Sequence, residues 1–226
     1  MKIFISTVAL GLLVISAKAQ IFITQDNLGV SAPMPEKGTP EYIQGIYLYP
    51  DFVKGSVTML DNKKIASADL IYDLSKDKII FKGEDNKPYW FKDKVSAFQM
   101  ADPKSGDQLI HLFKNGYPPI DRYSALNYYE VLAEGKVTLL KKEVRIVSET
   151  IPYGSSAPVK SVANAQLYYL YTNDTMTQIK KDKKSIGNLL KGNDFNLTKY
   201  ISDNNLNIKN DEDLVKIINY YNSINK

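Results

Sequence analysis

Apolar and polar residues alternate along most of this 226-residue chain, from Tyr42 to Ile179. A period of two places successive side chains on opposite faces of a strand, so the alternation predicts half-buried β-strands. Turn-forming residues interrupt it at intervals of roughly ten residues, which is typical of antiparallel meanders. We therefore predict a mainly β protein, in which residues 42–181 form an antiparallel meander with a sandwich or barrel-like body.

Asp, Asn and Gly mark the turns of this meander, because these residues tolerate the backbone angles that tight turns require. One later segment, Ser148–Ala163, is long, polar and rich in Ser, Pro and Gly. We predict it to be a loop, and a loop of that length is either mobile or functional. The predicted turns are Asp61-Asn62, Ser75–Lys78, Gly83–Asn86, Asp102–Gly106, Glu134-Gly135 and Asn173-Asp174.

The hydrophobic period changes in residues 182–226. Leu214, Ile217 and Ile218 recur at helical spacing, and they follow a run of acids at Asp211–Asp213. Acidic side chains in a first turn favour a helix, since they face the positive end of its dipole. We predict short helices here, which must pack on the β body or on a partner because each is too short to be stable alone. The fold class is thus α+β overall.

Residues 1–19 have the features of a cleavable secretory signal. A lysine precedes an apolar run from Ile3 to Ile15, and the small residues Ala17 and Ala19 satisfy the A-x-A cleavage rule. The run is shorter than the about 20 apolar residues of a membrane-spanning helix. We predict cleavage after Ala19, a periplasmic or secreted mature protein, no transmembrane segment after cleavage, and an irregular N-terminal arm at residues 20–41.

Composition narrows the classes of function. The chain has no cysteine, which excludes disulfides, thiol nucleophiles and thiolate metal sites. Removal of the signal would lower the formal net charge from +4 by the two lysines Lys2 and Lys18 to +2. Lysines and acids are interleaved, so we expect no nucleic-acid partner. The 16 tyrosines favour strands and are also common at binding surfaces.

Catalytic motifs are weak in this sequence. His111, the single histidine, lies in a predicted strand, and we interpret it as a structural residue. One histidine excludes a three-histidine metal site, and no nucleophile elbow or glycine-rich phosphate loop is present. Glu130 stands among tyrosines and is interpreted as an exposed strand position. We predict no catalytic residue, no metal and no cofactor.

Two stretches of the body resemble each other. Gly55–Leu60 is similar to Gly135–Leu140, and Ala68–Asp77 is similar to Ala165–Asp174. If they share an origin, the body consists of two similar halves at about 42–114 and 126–181. Amphipathic hairpins also look alike by composition alone, so the alternative of no repeat stays open.

Three stretches carry a resemblance to known proteins: Gly55–Met100, Tyr128–Leu140 and Asp213–Asn222. They resemble uncharacterised exported β-rich proteins of Bacteroidetes-type Gram-negative bacteria. This resemblance implies a periplasmic or surface setting, and it brings neither an activity nor a site residue.

The sequence leaves three hypotheses about function open. The leading hypothesis is an exported envelope protein that acts as a non-enzymatic binding or structural module for an envelope protein or a surface polymer. The alternatives are a carrier of a small apolar ligand in a β-barrel and a two-carboxylate hydrolase. Because they flank loops, Tyr117, Tyr123, Tyr128 and Tyr153 are the predicted ligand or partner contacts.

Overall fold

The computed structural model describes residues 29–225, except 33, 38, 40, 41, 152, 155 and 191–195. The predicted signal at residues 1–19 lies outside the described residues, as does the first part of the predicted N-terminal arm. Strands make up 45% of the chain and helices 15%, which confirms a mainly β protein with a C-terminal helical segment.

The strands of the described residues form one antiparallel sheet of 11 strands, which is not closed. Its order is β1-β5-β4-β3-β2-β6-β7-β8-β9-β10-β11, so most strands pair with their neighbours in sequence, as the predicted meander requires. The strands are β1 (Gly29–Ser31), β2 (Val53–Met59), β3 (Lys64–Asp73), β4 (Lys78–Lys82), β5 (Pro88–Phe91), β6 (Val95–Asp102), β7 (Gly106–Lys114), β8 (Tyr129–Ala133), β9 (Thr138–Thr150), β10 (Val159–Thr172) and β11 (Thr175–Ile179).

Residues with a left-handed backbone conformation occupy four of the six predicted turns. Asn62, Asp77 and Asn86 have positive φ angles between consecutive strands, and Asn173 and Asp174 both do so between β10 and β11. Asn and Asp tolerate this conformation because their short side chains bond the local backbone. The turn residues therefore explain where the meander reverses.

The first half of the sheet curls tightly around an aromatic core. Tyr72 on β3 and Phe113 on β7 are separated by β2 and β6, a span of about 14 Å in a flat sheet. Their ring centroids are nevertheless only 5.3 Å apart. Gly55 permits part of this curvature, since a Cβ there would lie 2.2 Å from the carbonyl oxygen of Gln99, next to a bulge in β2.

Three helices pack on one face of the second half of the sheet, among the described residues: α1 (Lys183–Leu189), α2 (Leu197–Asp203) and α3 (Asp211–Ile224). Asp182, Asn196 and Asn210 cap them, each accepting a hydrogen bond from a backbone N–H three residues later. The helix-side core that results is formed by Leu139, Leu170, Ile179, Ile186, Ile201, Leu214, Ile217 and Ile218, with further apolar neighbours.

The last helix also clamps the turn before β9. Both the amide oxygen and the amide nitrogen of Asn222 bond the backbone of Val137, at 2.9 and 2.8 Å. Gly135 leaves room for this contact, because a Cβ there would lie 2.5 Å from the Asn222 amide carbon and would displace that side chain. The predicted Glu134-Gly135 turn is therefore held by a tertiary contact.

The two halves of the sheet meet at a narrow junction. Only two residue pairs, Phe113 with Glu130 and Lys114 with Tyr129, join β7 to β8 among the described residues. The similar stretches noted in the sequence lie on β2 and β3 in the first half and around β9 and β10 in the second. Both are adjacent antiparallel pairs, and a common origin of the halves stays a prediction.

Replacement of Phe98 by alanine should test the aromatic core in the first half of the sheet, which we call the first core. Its ring is 1% exposed and contacts the rings of Tyr72, Phe113 and Tyr128. We expect Phe98→Ala to lower the free energy of unfolding by about 3–5 kcal/mol in urea denaturation. The control Leu60→Ala removes a side chain that is 63% exposed and should change it by less than about 0.5 kcal/mol. Equal losses from both would contradict the curled core.

Candidate interaction site

The longest strand pair of the sheet projects beyond its neighbours. β8 pairs with β9 only as far as Lys141, and β11 pairs with β10 only from Tyr168 onward. Beyond these residues β9 and β10 pair only with each other among the described residues, from the pair Glu143–Gln166 to the pair Thr150–Val159. We call Glu143–Gln166 the hairpin arm.

The predicted loop Ser148–Ala163 was therefore too long, since β9 extends to Thr150 and β10 begins at Val159. The physical reason is that a two-stranded ribbon exposed on both faces needs no apolar alternation, so its sequence looks like a loop. Its polar side chains still pair across the strands: the hydroxyl oxygens of Ser148 and Ser161 are 2.7 Å apart.

The base of the hairpin arm is anchored to the first half of the chain. The Nε of Arg145 donates to the carbonyl of Gly45 at 3.0 Å, and its Nη2 pairs with Glu143 at 3.1 Å. Val162 packs against a small apolar cluster that includes Ile46 and Ile71. These contacts fix the direction in which the hairpin arm leaves the sheet.

The distal part of the hairpin arm is unusually apolar for an exposed ribbon. Among the described residues, 13 large apolar side chains are exposed, and five of them lie between positions 146 and 159. Proteins rarely expose clustered apolar groups unless they contact another molecule. The five are Ile146, Val147, Ile151, Tyr153 and Val159.

One face of the hairpin arm continues a cluster of tyrosines on the sheet. Val144, Ile146 and Ser148 share this face by alternation, and Val144 is buried against the cluster. Edge-to-face contacts join the rings, with centroids 5.2–6.4 Å apart, a favourable arrangement for aromatic pairs. This tyrosine cluster consists of Tyr117, Tyr123, Tyr129, Tyr169 and Tyr171.

The structure places the four predicted contact residues in three locations. Tyr117 and Tyr123 lie together in the tyrosine cluster, both against Tyr129. Tyr128 belongs to the first core, where its hydroxyl donates to the carbonyl of Val95 at 2.8 Å. Tyr153 is fully exposed near the tip of the hairpin arm. Burial raises the pKa of Tyr117 to about 12, so it stays a neutral hydroxyl.

A buried lysine lies under the tyrosine cluster. Lys142 is 4% exposed, and its ammonium group donates to Asp77 at 3.1 Å and to the carbonyl of Tyr128 at 2.9 Å. It also lies 5.1 and 5.3 Å from the ring centroids of Tyr123 and Tyr129. Burial lowers the pKa of Lys142, against the opposing effect of Asp77. Sequence reasoning missed this residue because Lys141 and Lys142 look equivalent in an alternating strand.

The opposite face at the base of the hairpin arm carries a row of charges. His111 Nδ1 lies 2.5 Å from Glu130 Oε1, and His111 Nε2 lies 3.9 Å from Asp102 Oδ2. Lys141 lies 3.8 Å from the other oxygen of Glu130 and 3.1 Å from Asp211 at the start of α3. We call these five residues the His111 cluster. It ties β6, β7, β8, β9 and α3 together.

Glu130 was wrongly interpreted as an exposed strand position, because it is only 7% exposed. Its carboxylate is tolerated there since His111 and Lys141 supply compensating positive groups. The hydrogen bond with Glu130 raises the pKa of His111, which favours the imidazolium form. Each carboxylate beside His111 faces a positive partner, and this arrangement stabilises the junction of the two halves.

Neither a metal site nor a bilayer-spanning helix is found in the described part of the chain. No three His, Cys, Asp or Glu side chains there are grouped so that they could hold a metal ion. No helix there combines the length and the apolar character needed to cross a bilayer.

No family model, curated protein or solved structure matches this chain. The resemblance to exported proteins of Bacteroidetes-type bacteria therefore stays a prediction. The site must be interpreted from its own geometry.

Titration of the single histidine should test the His111 cluster. We expect the pKa of His111 to lie above the usual value of about 6.5 and to fall in Glu130→Gln, as measured by NMR of the one imidazole. A raised pKa in the folded state stabilises the protein fully below the unfolded pKa. That contribution is lost as pH rises through the folded pKa.

The free energy of unfolding of the wild type should therefore decline with rising pH across this window, relative to His111→Asn. Asn keeps a polar side chain at this position but does not titrate. Parallel pH profiles of the two proteins would contradict the proposed coupling between His111 and Glu130.

Proposed function

We propose that this protein is an exported, non-enzymatic binding module of the cell envelope, and that its hairpin arm binds another protein. The support for export is the pattern of residues 1–19. The observation that carries the binding proposal is the concentration of exposed apolar side chains on the distal hairpin arm.

The backbone of the hairpin arm supports the same proposal. Within the described residues, the outer edges of Glu143–Thr150 and Val159–Gln166 pair with no third strand. Unpaired strand edges bind extended segments of other chains through backbone hydrogen bonds, while alternate side chains provide specificity. We therefore expect a partner that offers an extended segment with apolar side chains directed at Ile146 and Val159.

The anchoring of the hairpin arm suits a binding role. Arg145 and Val162 hold its base against residues of the first half of the chain, so the exposed tip is presented in a defined direction. Pre-organisation of this kind lowers the entropic cost of binding. The edge-to-face tyrosine contacts beneath the open face add rigidity, which lowers this cost further.

The other functions considered have less support. A carrier of an apolar ligand requires a sheet that encloses its cargo, and the 11-stranded sheet is not closed. A two-carboxylate hydrolase requires acids that are free to act on a substrate. In the His111 cluster, Asp102 and Glu130 both face the imidazole.

Site-specific photo-crosslinking in the native host tests the binding proposal. A photoreactive amino acid at position 146 or 159 should yield a discrete crosslinked species that contains a second protein. The same group at position 60 is a matched control, because Leu60 is even more exposed than Ile146 and Val159 but lies in the β2–β3 turn. Equal crosslinking from positions 60 and 146 would refute the proposal.

Once that partner is purified, Ile146→Ser with Val159→Ser should weaken its binding at least about tenfold in calorimetry, because interface centres depend on few apolar contacts. Stability should change by less than about 0.5 kcal/mol per site, since both side chains are exposed. Unchanged affinity would place the interface elsewhere on the protein.

Export has its own test. N-terminal sequencing of the protein recovered from the periplasmic fraction or the medium should begin at Gln20. Replacement of Ala17 and Ala19 by bulky residues should block cleavage, because signal peptidase accepts only small side chains there. Recovery of the intact chain from the cytoplasm alone would refute export.

A further inference from the structure

A surface groove lies in the first half of the sheet. Its floor is apolar and consists of Ile79, Phe91, Val95 and Tyr128, and the exposed side chains of Val30 and Leu126 also line it. Its volume is about 410 Å³, within the range of about 300–1000 Å³ that is usual for small-molecule sites. We call it the Trp90 groove, after the tryptophan in its wall.

Three lysines line this groove: Lys78 at the start of β4, and Lys92 and Lys94 in the turn between β5 and β6. No ion pair within 4.0 Å joins any of them to a carboxylate of the described residues. Of the two acids in the lining, Asp77 is already paired with Lys142, which leaves Asp93. The groove therefore carries an excess of positive charge.

Trp90 holds one of these charges in place without neutralising it. The ammonium group of Lys78 lies 4.5 Å from the centroid of the Trp90 ring, a cation–π distance. A lysine side chain is otherwise flexible, and its immobilisation normally costs free energy when a ligand binds. Because the aromatic contact already restrains Lys78, less free energy is lost when a ligand binds.

From this combination we infer that the Trp90 groove binds a single-chain amphiphile with an anionic headgroup. The unpaired lysines attract the anion, and the apolar floor accepts the chain. The lysines are suited to a carboxylate or a phosphate, since an ammonium group acts as a point charge toward either. The inference is independent of the hairpin arm, whose residues contribute nothing to this groove.

Two other ligand classes fit the groove less well. A nucleobase would need a free aromatic face, and Lys78 already lies over the Trp90 ring. A saccharide would need several polar side chains with free hydrogen-bonding groups. Asn115 is the one amide in the lining, and its side chain donates to the carbonyl of Val95.

The single tryptophan of the chain provides the measurement, because Trp90 is the only one in the sequence. Sodium dodecanoate and dodecyl phosphate, below their micellar concentrations, should each change its fluorescence in a saturable way. Dodecanol tests the need for charge, and inorganic phosphate tests the need for a chain. Both should bind at least about tenfold more weakly than the two amphiphiles, since each lacks half of the recognised chemistry.

Substitutions then locate the site. Lys78→Gln, Lys92→Gln and Lys94→Gln together should weaken dodecanoate binding at least about tenfold and reduce its dependence on salt. The control combines Lys63→Gln, Lys64→Gln and Lys104→Gln, which remove the same charge from exposed positions elsewhere. It should change the affinity less than about twofold. All six side chains lie in exposed residues, so both variants should fold.

Several results would overturn the inference. They are the absence of any fluorescence response, equal binding of dodecanol and dodecanoate, equal binding of inorganic phosphate, and equal losses in the two lysine variants. Binding to anionic vesicles without binding to the free amphiphiles would also overturn it, since it would indicate a membrane surface as the ligand. None of these results bears on the photo-crosslinking of the hairpin arm.

Discussion

The ammonium group of Lys142 is buried beneath two tyrosine rings, and its ion pair with Asp77 joins parts of the chain that are 65 residues apart. Asp77 also accepts hydrogen bonds from the Tyr72 hydroxyl, the Asn127 amide and the backbone of Tyr128. Loss of one partner from a buried ion pair typically costs about 3–5 kcal/mol. The curled first core and the tyrosine cluster both depend on this contact for their relative position.

A second polar connection lies on the other face of the sheet. The His111 cluster joins β7 to β8 and β9 and reaches the first turn of α3 through Asp211. Within the part of the chain that the structure describes, backbone pairing between the two halves of the sheet consists of two residue pairs, and side-chain ion pairs add to it. The hairpin arm begins where these connections end, because β9 continues past the end of β8 and there pairs with β10 alone among the described residues. Its exposure follows from the shorter lengths of the flanking strands β8 and β11.

Much of the fold was predictable from local rules. Asn62, Asn86 and the Asn173-Asp174 pair mark reversals that the structure contains, because their side chains favour a left-handed backbone whatever the tertiary context. The helical tail was equally predictable, since the helical spacing of Leu214, Ile217 and Ile218 is a local property of the sequence. The existence of the strands and most of their sequential pairing followed from the same reasoning, whereas the pairings of β1 with β5 and of β2 with β6 did not.

The candidate sites were harder to predict, because they depend on contacts between distant segments. Glu130 looks exposed until His111 is placed beside it, 19 residues earlier in the chain. The distal part of the hairpin arm looks like a loop because most of its side chains are exposed on both faces. The Trp90 groove combines β1, β4, β5 and the segment before β8, and no spacing rule brings these together. The four tyrosines were chosen for their loop positions, and that criterion did not distinguish Tyr128 in a core from Tyr153 in solvent.

The narrow junction between β7 and β8 has a consequence for cooperativity. Two adjacent cores that are joined by a long ladder of backbone hydrogen bonds unfold together. Two cores that are joined by a short ladder can unfold as separate units. In this protein the shared elements are mostly side chains with ionisable groups, so the degree to which the halves unfold as one body depends on protonation as well as on temperature.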